Sequence, residues 1–151
     1  MVKIGDVFYI NTKKGRYYFQ YMKRIPKFSY MIRVFSKDCD NKTENIEGII
    51  NMPVLFWIFF PLISAEKQKV IHKYGHVPID KEKIKIPIFR IGFPNLKTNK
   101  VKVWCFWDGE KEWAVENITQ EQRKLPMKII VNDTALIEKI ENGWSPENDA
   151  W

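Results

Sequence analysis

The chain has few of the residues that staple, anchor or cradle. Only two of its 151 residues are cysteine, Cys39 and Cys105. Two cysteines make no disulfide framework. No charged-then-apolar segment opens the sequence, so both read as free thiols in a reducing, cytoplasmic compartment. The longest apolar run, Val54 to Ile63, has ten residues and contains Pro61. A membrane helix needs about 20, so the run reads as a buried strand and no membrane role is expected. Seven glycines stand singly, at 5, 15, 48, 75, 92, 109 and 143. That dispersal leaves no Gly-rich phosphate loop.

Catalytic constellations are equally scarce. His72 and His76 are the two histidines. Their spacing suits two ligands on one helical face, but Gly75 and Pro78 argue against a helix there, and no Cys, Asp or Glu lies between them. Only Ser29, Ser36 and Ser64 precede Ser145, and none sits in a Gly-flanked elbow. Cys105 lies between Trp104 and Phe106, where apolar neighbours keep a thiol inert. A Cys–His pair assembled across the fold stays open. Asp108 and Glu110 stand at a hairpin tip, where a charged pair is solvated. The expectation is therefore a binding protein and not an enzyme, with no cofactor, no metal and no small-molecule substrate.

Aromatic residues, by contrast, are abundant, at 15% of the chain. Bulky rings suit sheet faces, and the alternation bears this out. Lys3 to Thr12 alternates Ile4, Phe8 and Ile10 with Val7 and Tyr9, giving a strand with one core face. Lys13-Lys14-Gly15 is a turn, and Arg16 to Ile25 returns until Pro26. Ser29 to Ser36 is a third strand. Short connections favour an antiparallel meander. Lys37 to Asn45 is a polar loop, and Ile46 to Met52 is a short apolar lead-in. Val54 to Phe60 is apolar on both faces and reads as a central strand. Ser64 to His72 is either one or two helical turns capped by Ser64 or an irregular loop ending in a short strand.

Tyr74 to Lys85 reads as loop, and Ile86 to Phe89 as a short strand that Pro87 confines to an edge. Val101 to Trp107 and Glu112 to Val115 flank Asp108-Gly109, a strong hairpin signal. Ile118 to Lys124 is a short helix with a Thr119/Gln122 capping box. Met127 to Val131 is a strand. Asp133 or Thr134 caps a helix from Ala135 to Glu141, ended by Asn142-Gly143. Residues 144–151 form a polar tail, read as flexible, with a Trp at each end. The whole reads as one mainly β domain (α+β at the margin): an antiparallel, strongly bent sheet or partly open barrel, with two short helices near the C-terminus.

The net charge of +7 is uneven. Residues 1–37 hold nine Lys/Arg against Asp6 alone, whereas residues 116–151 hold four against seven acids. Lys13, Lys14, Arg16, Lys23, Arg24, Lys27 and Arg33 surround Tyr17, Tyr18, Phe19, Tyr21 and Phe28. Cations beside stacking rings form a candidate nucleic-acid patch. At the other end, Glu138, Glu141, Glu147 and Asp149 lie beside Trp144 and Trp151. Trp anchors beside carboxylates suit a protein-binding hot spot.

The opening Lys3-Ile4-Gly5-Asp6-Val7-Phe8-Tyr9-Ile10, followed by Gly15-Arg16-Tyr17-Tyr18-Phe19, resembles the start of the immunity protein 26 family. So does the apolar strand Val54 to Phe60, followed by Ile71, Gly75, Pro78-Ile79 and then Ile86-Pro87-Ile88-Phe89. The resemblance spans about residues 1–110. Where the family often places a Trp before the aliphatic–Gly step, this chain has Lys69-Val70-Ile71. The resemblance implies a mainly β cytosolic antidote that binds a cognate toxin domain, often a nuclease, in a bacterial polymorphic toxin system. It implies no catalytic residues. Nuclease toxins are commonly basic, so such a partner calls for acid. The alternative is a small β-barrel that binds nucleic acid through the basic N-terminal hairpin, since Gly-Asp before an aromatic strand also occurs in SH3-like barrels of that kind.

Overall fold

Alternating apolar residues and short polar turns build the first sheet. The computed structural model describes residues 1–37 and 45–151. Most of the loop read over Lys37 to Asn45, with Cys39, lies outside the described residues. Strands β1 (Asp6–Thr12), β2 (Gly15–Ile25), β3 (Ser29–Phe35) and β4 (Val54–Phe60) form an antiparallel meander. Strand β5 (His72–His76) then returns antiparallel to β1, giving the order β4-β3-β2-β1-β5. A second antiparallel sheet has the order β6-β7-β8, from Phe89–Gly92, Val103–Trp107 and Glu112–Glu116. Among the described residues the strands close no barrel. The protein is mainly β, as the alternation predicts.

Both faces of the first sheet are covered. On one face Phe8, Phe19, Ile32 and Ile58 pack against α2 (Leu62–Lys67) and α4 (Asp133–Glu141) through Leu62, Ala65, Leu136 and Ile140. On the other, Val7 and Phe35 receive Ile49 of α1 (Ile46–Ile50). Further along that face, Met22, Met31 and Phe59 receive Phe89 and Trp107 of the second sheet. Burying one such side chain stabilises by roughly 1.5–3 kcal/mol.

Residues 126–131 join the two sheets. The Phe59 N–H donates to Ile129 (3.1 Å), and the Val131 N–H to Phe59 (3.0 Å). At its other end the strap accepts from Arg90 at Pro126 (2.8 Å) and donates to Arg90 from Lys128 (2.9 Å). Met127 and Ile130 thus make single parallel bridges rather than the continuous strand read from Met127 to Val131.

Several boundaries differ from the sequence reading. The first strand begins at Asp6, with Ile4 exposed and both Val7 and Phe8 buried. Val54 to Phe60 lies at the end of its sheet, not in its middle. It is apolar on both faces because helices cover one side and the second sheet the other. The lead-in at Ile46 is helical, with the Asn45 side chain accepting from Glu47 and Gly48 N–H groups. Helix α2 starts at Leu62, so Ser64 lies inside it and Pro61 takes the cap position. Tyr74 to His76 is strand because β1 offers it an edge. The strand read at Ile86 starts at Phe89, beyond Pro87, and lies at the edge of its sheet, as Pro87 suggested. Asn132, not Asp133 or Thr134, caps α4. The Thr119/Gln122 capping box of α3 (Gln120–Arg123) is present as read.

Candidate functional site

The acidic C-terminal nominees are largely engaged within the chain. The Glu141 carboxylate accepts from the Lys13 N–H (2.6 Å). Trp144 packs edge-on against Phe56, with ring centroids 5.2 Å apart, and Lys139 lies over its ring. The Trp144 indole N–H donates to Asp149 (2.9 Å), which also accepts from the Trp151 N–H (3.1 Å). Trp151 packs beside Trp104, Phe106 and Met127. Where a flexible tail is read, residues 146–148 form a 3-10 turn. Of the six nominees, Glu138 and Glu147 stay exposed.

Arg90 holds this segment from below. Its side chain is fully buried, over the Trp104 ring at 4.2 Å. It donates to the carbonyls of Leu125 (3.2 Å), Arg123 (3.2 Å) and Pro146. Burial pulls its guanidinium down to about 10, with Arg123 adding and Asp149 opposing.

The basic nominees fall into two groups. Lys13, Lys14 and Arg16 flank the β1–β2 turn, Lys23 and Arg24 lie at the far end of β2, and Lys27 lies in the turn that follows it. Arg16 and Lys23 stand about 23 Å apart at ~3.3 Å per residue. Phe19 and Tyr21 belong to the core, so they offer no stacking platform. Phe28 instead packs edge-on against Phe59, with Lys128 over its ring. The first group keeps Tyr18 and gains Tyr9, His72 and Tyr74, which sequence reasoning did not place there. Arg16 lies 3.7 Å over Tyr9, Tyr9 lies 5.0 Å from His72, and Tyr18 lies 5.0 Å from Tyr74. Pairing of β5 with β1 assembles this patch, and no local pattern announces such a pairing.

The Gly5-Asp6 pair has a structural task. A Cβ on Gly5 would stand 2.5 Å from the Val77 carbonyl oxygen, and the residue sits at φ +100. The Asp6 carboxylate is fully buried. It accepts from the Lys3 N–H (2.8 Å), meets His76 Nδ1 at 2.8 Å and pairs with Lys73 at 3.3 Å. Burial raises its pKa, but the Lys3, His76 and Lys73 contacts outweigh that and leave it below the ordinary value. Beside it, Gln20 donates to the Gly5 and Val77 carbonyls and accepts from the buried Arg33 (2.7 Å).

The second sheet presents a surface the sequence reading passed over. Strand β8 is its outer strand, and Glu112, Trp113, Ala114 and Glu116 are all exposed. Asp108 accepts from the N–H groups of Glu110 (2.9 Å) and Lys111 (2.8 Å), so it caps the turn. Gly109, at φ +104, completes the hairpin as its sequence predicts. The available signal was the alternation Glu-Trp-Ala-Val-Glu after an Asp-Gly turn.

The histidines lie on β5 and Cys105 on β7 of the other sheet. Among the described residues, no group of three or more His, Cys, Asp or Glu side chains could hold a metal ion. A hollow of about 440 Å³ beside Cys105 is lined by Lys100, Lys102, Trp104 and other residues, with no histidine or carboxylate among them. No helix among the described residues is long and apolar enough to cross a membrane. Compared with known proteins, the chain matches no family model, no curated protein and no solved structure.

Proposed function

We propose that this chain is a non-enzymatic binding protein that holds and neutralises a cognate bacterial toxin domain, such as a nuclease, in the cytosol. The resemblance of its first part to the immunity protein 26 family suggests the class. The observation that carries the reading is the outer strand β8, which presents Glu112 and Glu116 on one face and half-exposed Trp113 on the other. An edge strand that offers acid on one face and an aromatic ring on the other suits a basic partner segment running along it. It replaces the C-terminal tail as the acidic contact face, because Trp144, Asp149 and Trp151 bind one another.

The test is inhibition. The purified chain is titrated into a basic nuclease domain encoded beside its own gene, with plasmid cleavage as the readout. Stoichiometric loss of cleavage is expected, and Glu112→Lys with Glu116→Lys should relieve it. Undiminished cleavage at excess chain overturns the reading.

A second reading has its own observation. Arg16 over Tyr9, with Tyr18, Tyr74 and His72 alongside, resembles a stacking platform for single-stranded nucleic acid. Fluorescence anisotropy with labelled single-stranded DNA separates the two. Tight binding that falls steeply with salt and disappears in Tyr9→Ala favours this second reading.

A further inference from the structure

The register of the β7–β8 hairpin determines which backbone groups of β8 face outward. The Asp108 N–H donates to the Lys111 carbonyl across the turn (3.2 Å). Hydrogen-bonded pairs alternate from there, so Trp113 faces Phe106 and Val115 faces Trp104 through their N–H and C=O groups. The far side of the sheet agrees. Arg90, opposite Phe106, turns its N–H and C=O away from β7 to Pro126 and Lys128. The N–H and C=O groups of Glu112, Ala114 and Glu116 therefore point outward, where a further strand would lie at ~4.8 Å.

Such a row of donors and acceptors is a template for another strand. Charge decides what can occupy it. A second copy of β8, antiparallel and centred on Ala114, would set Glu112 opposite Glu116, and like charges directly opposite repel. From Asp108 to Glu116 the hairpin carries four acids against Lys111 alone. Glu112, Ala114 and Glu116 share one face of the strand, and Trp113 and Val115 share the other.

We infer that the β8 edge takes an extended basic segment of a partner protein as an added strand. Lys or Arg stands opposite Glu112 and Glu116, and apolar residues stand opposite Trp113 and Val115. Main-chain hydrogen bonds hold the segment, and the alternating side chains select it. The inference rests on the acidic face proposed above and names how that face grips its partner.

The probe is a capped, Gly-Ser-flanked peptide with the core KVTVK. Its counterpart has the core EVTVE. Amide hydrogen exchange read by NMR should show new protection at Glu112, Ala114 and Glu116. The Trp113 and Val115 amides, already bonded to β7, should change little. EVTVE should bind about tenfold more weakly, the effect of reversing two cross-strand charge pairs. That order should invert for the Glu112→Lys, Glu116→Lys variant, whose unfolding midpoint should match the parent.

A KVTVK peptide N-methylated at its central threonine should lose binding with the protein untouched. Equal binding of the N-methylated peptide, equal binding of EVTVE, or no protection at the three amides overturns the inference. The assay contains no toxin, so its outcome stands whether or not a nuclease is neutralised.

Discussion

Replacing Asp6 with alanine removes a fully buried carboxylate and strands the groups that meet it. The Lys3 N–H bond at 2.8 Å and the His76 contact at 2.8 Å involve an ionised acceptor. Each such bond contributes about 1.5–3 kcal/mol. Lys73 is 41% exposed, so solvent screening limits its pair to about 1 kcal/mol or less. Removing the carboxylate also relieves the cost of burying it, so the expected loss for Asp6→Ala lies at the low end of that sum, about 3–4 kcal/mol, or roughly 10 °C in Tm for a chain of this length. Urea denaturation at pH 7, followed by circular dichroism, measures it. A loss below about 1 kcal/mol would refute the account of the Gly5-Asp6 pair as an anchor of β1 and β5.

The same carboxylate makes a signed prediction in pH. Its contacts leave the folded pKa below the ordinary value. The stabilisation is therefore fully present above the unfolded value of about 3.9 and is lost as pH falls through the folded pKa. The parent should lose stability below about pH 4 more steeply than Asp6→Ala. Parallel slopes would show that the carboxylate is not the group responsible.

Other substitutions probe the rest of the fold. Arg90→Met strands the carbonyls of Arg123, Leu125 and Pro146. It should cost about 2–4 kcal/mol and expose residues 144–151 to limited proteolysis, and an unchanged cleavage pattern would count against the Arg90 anchor. Gly5→Ala forces a Cβ to 2.5 Å from the Val77 oxygen at a positive φ. It should cost about 2 kcal/mol or more in urea denaturation. Trp113 is 39% exposed and packs edge-on against buried Phe106, so Trp113→Ala should cost about 1–2 kcal/mol in urea denaturation, leave the chain folded at 25 °C and weaken nuclease inhibition.

Much of the strand pattern was legible because each signal is local. Tyr17, Phe19 and Tyr21 alternate with Tyr18, Gln20 and Met22, and a period of two puts successive side chains on opposite faces. Asp108-Gly109 and the Thr119/Gln122 box act within four residues. The functional candidates were less legible. Glu141, Asp149, Trp144 and Trp151 look like a free acidic hot spot in sequence, yet their partners are Lys13, Phe56, Arg123 and one another. Tyr9, His72 and Tyr74 meet only because β5 pairs with β1. Composition lists charges and rings, but contacts decide which of them remain available.

Sequence by itself determined that this is a mainly β chain of alternating aromatic strands and short polar turns, basic at its start and acidic at its end. Those properties are set by neighbours within a few residues, through side-chain period and turn chemistry. Tertiary structure alone decided that Val54 to Phe60 ends its sheet, that residues 126–131 join the two sheets, and that Arg90 holds the tail. It also decided that Glu112, Ala114 and Glu116 turn their backbone to solvent. Long-range pairing depends on which edges and faces the rest of the chain leaves uncovered, and no short stretch of residues carries that information.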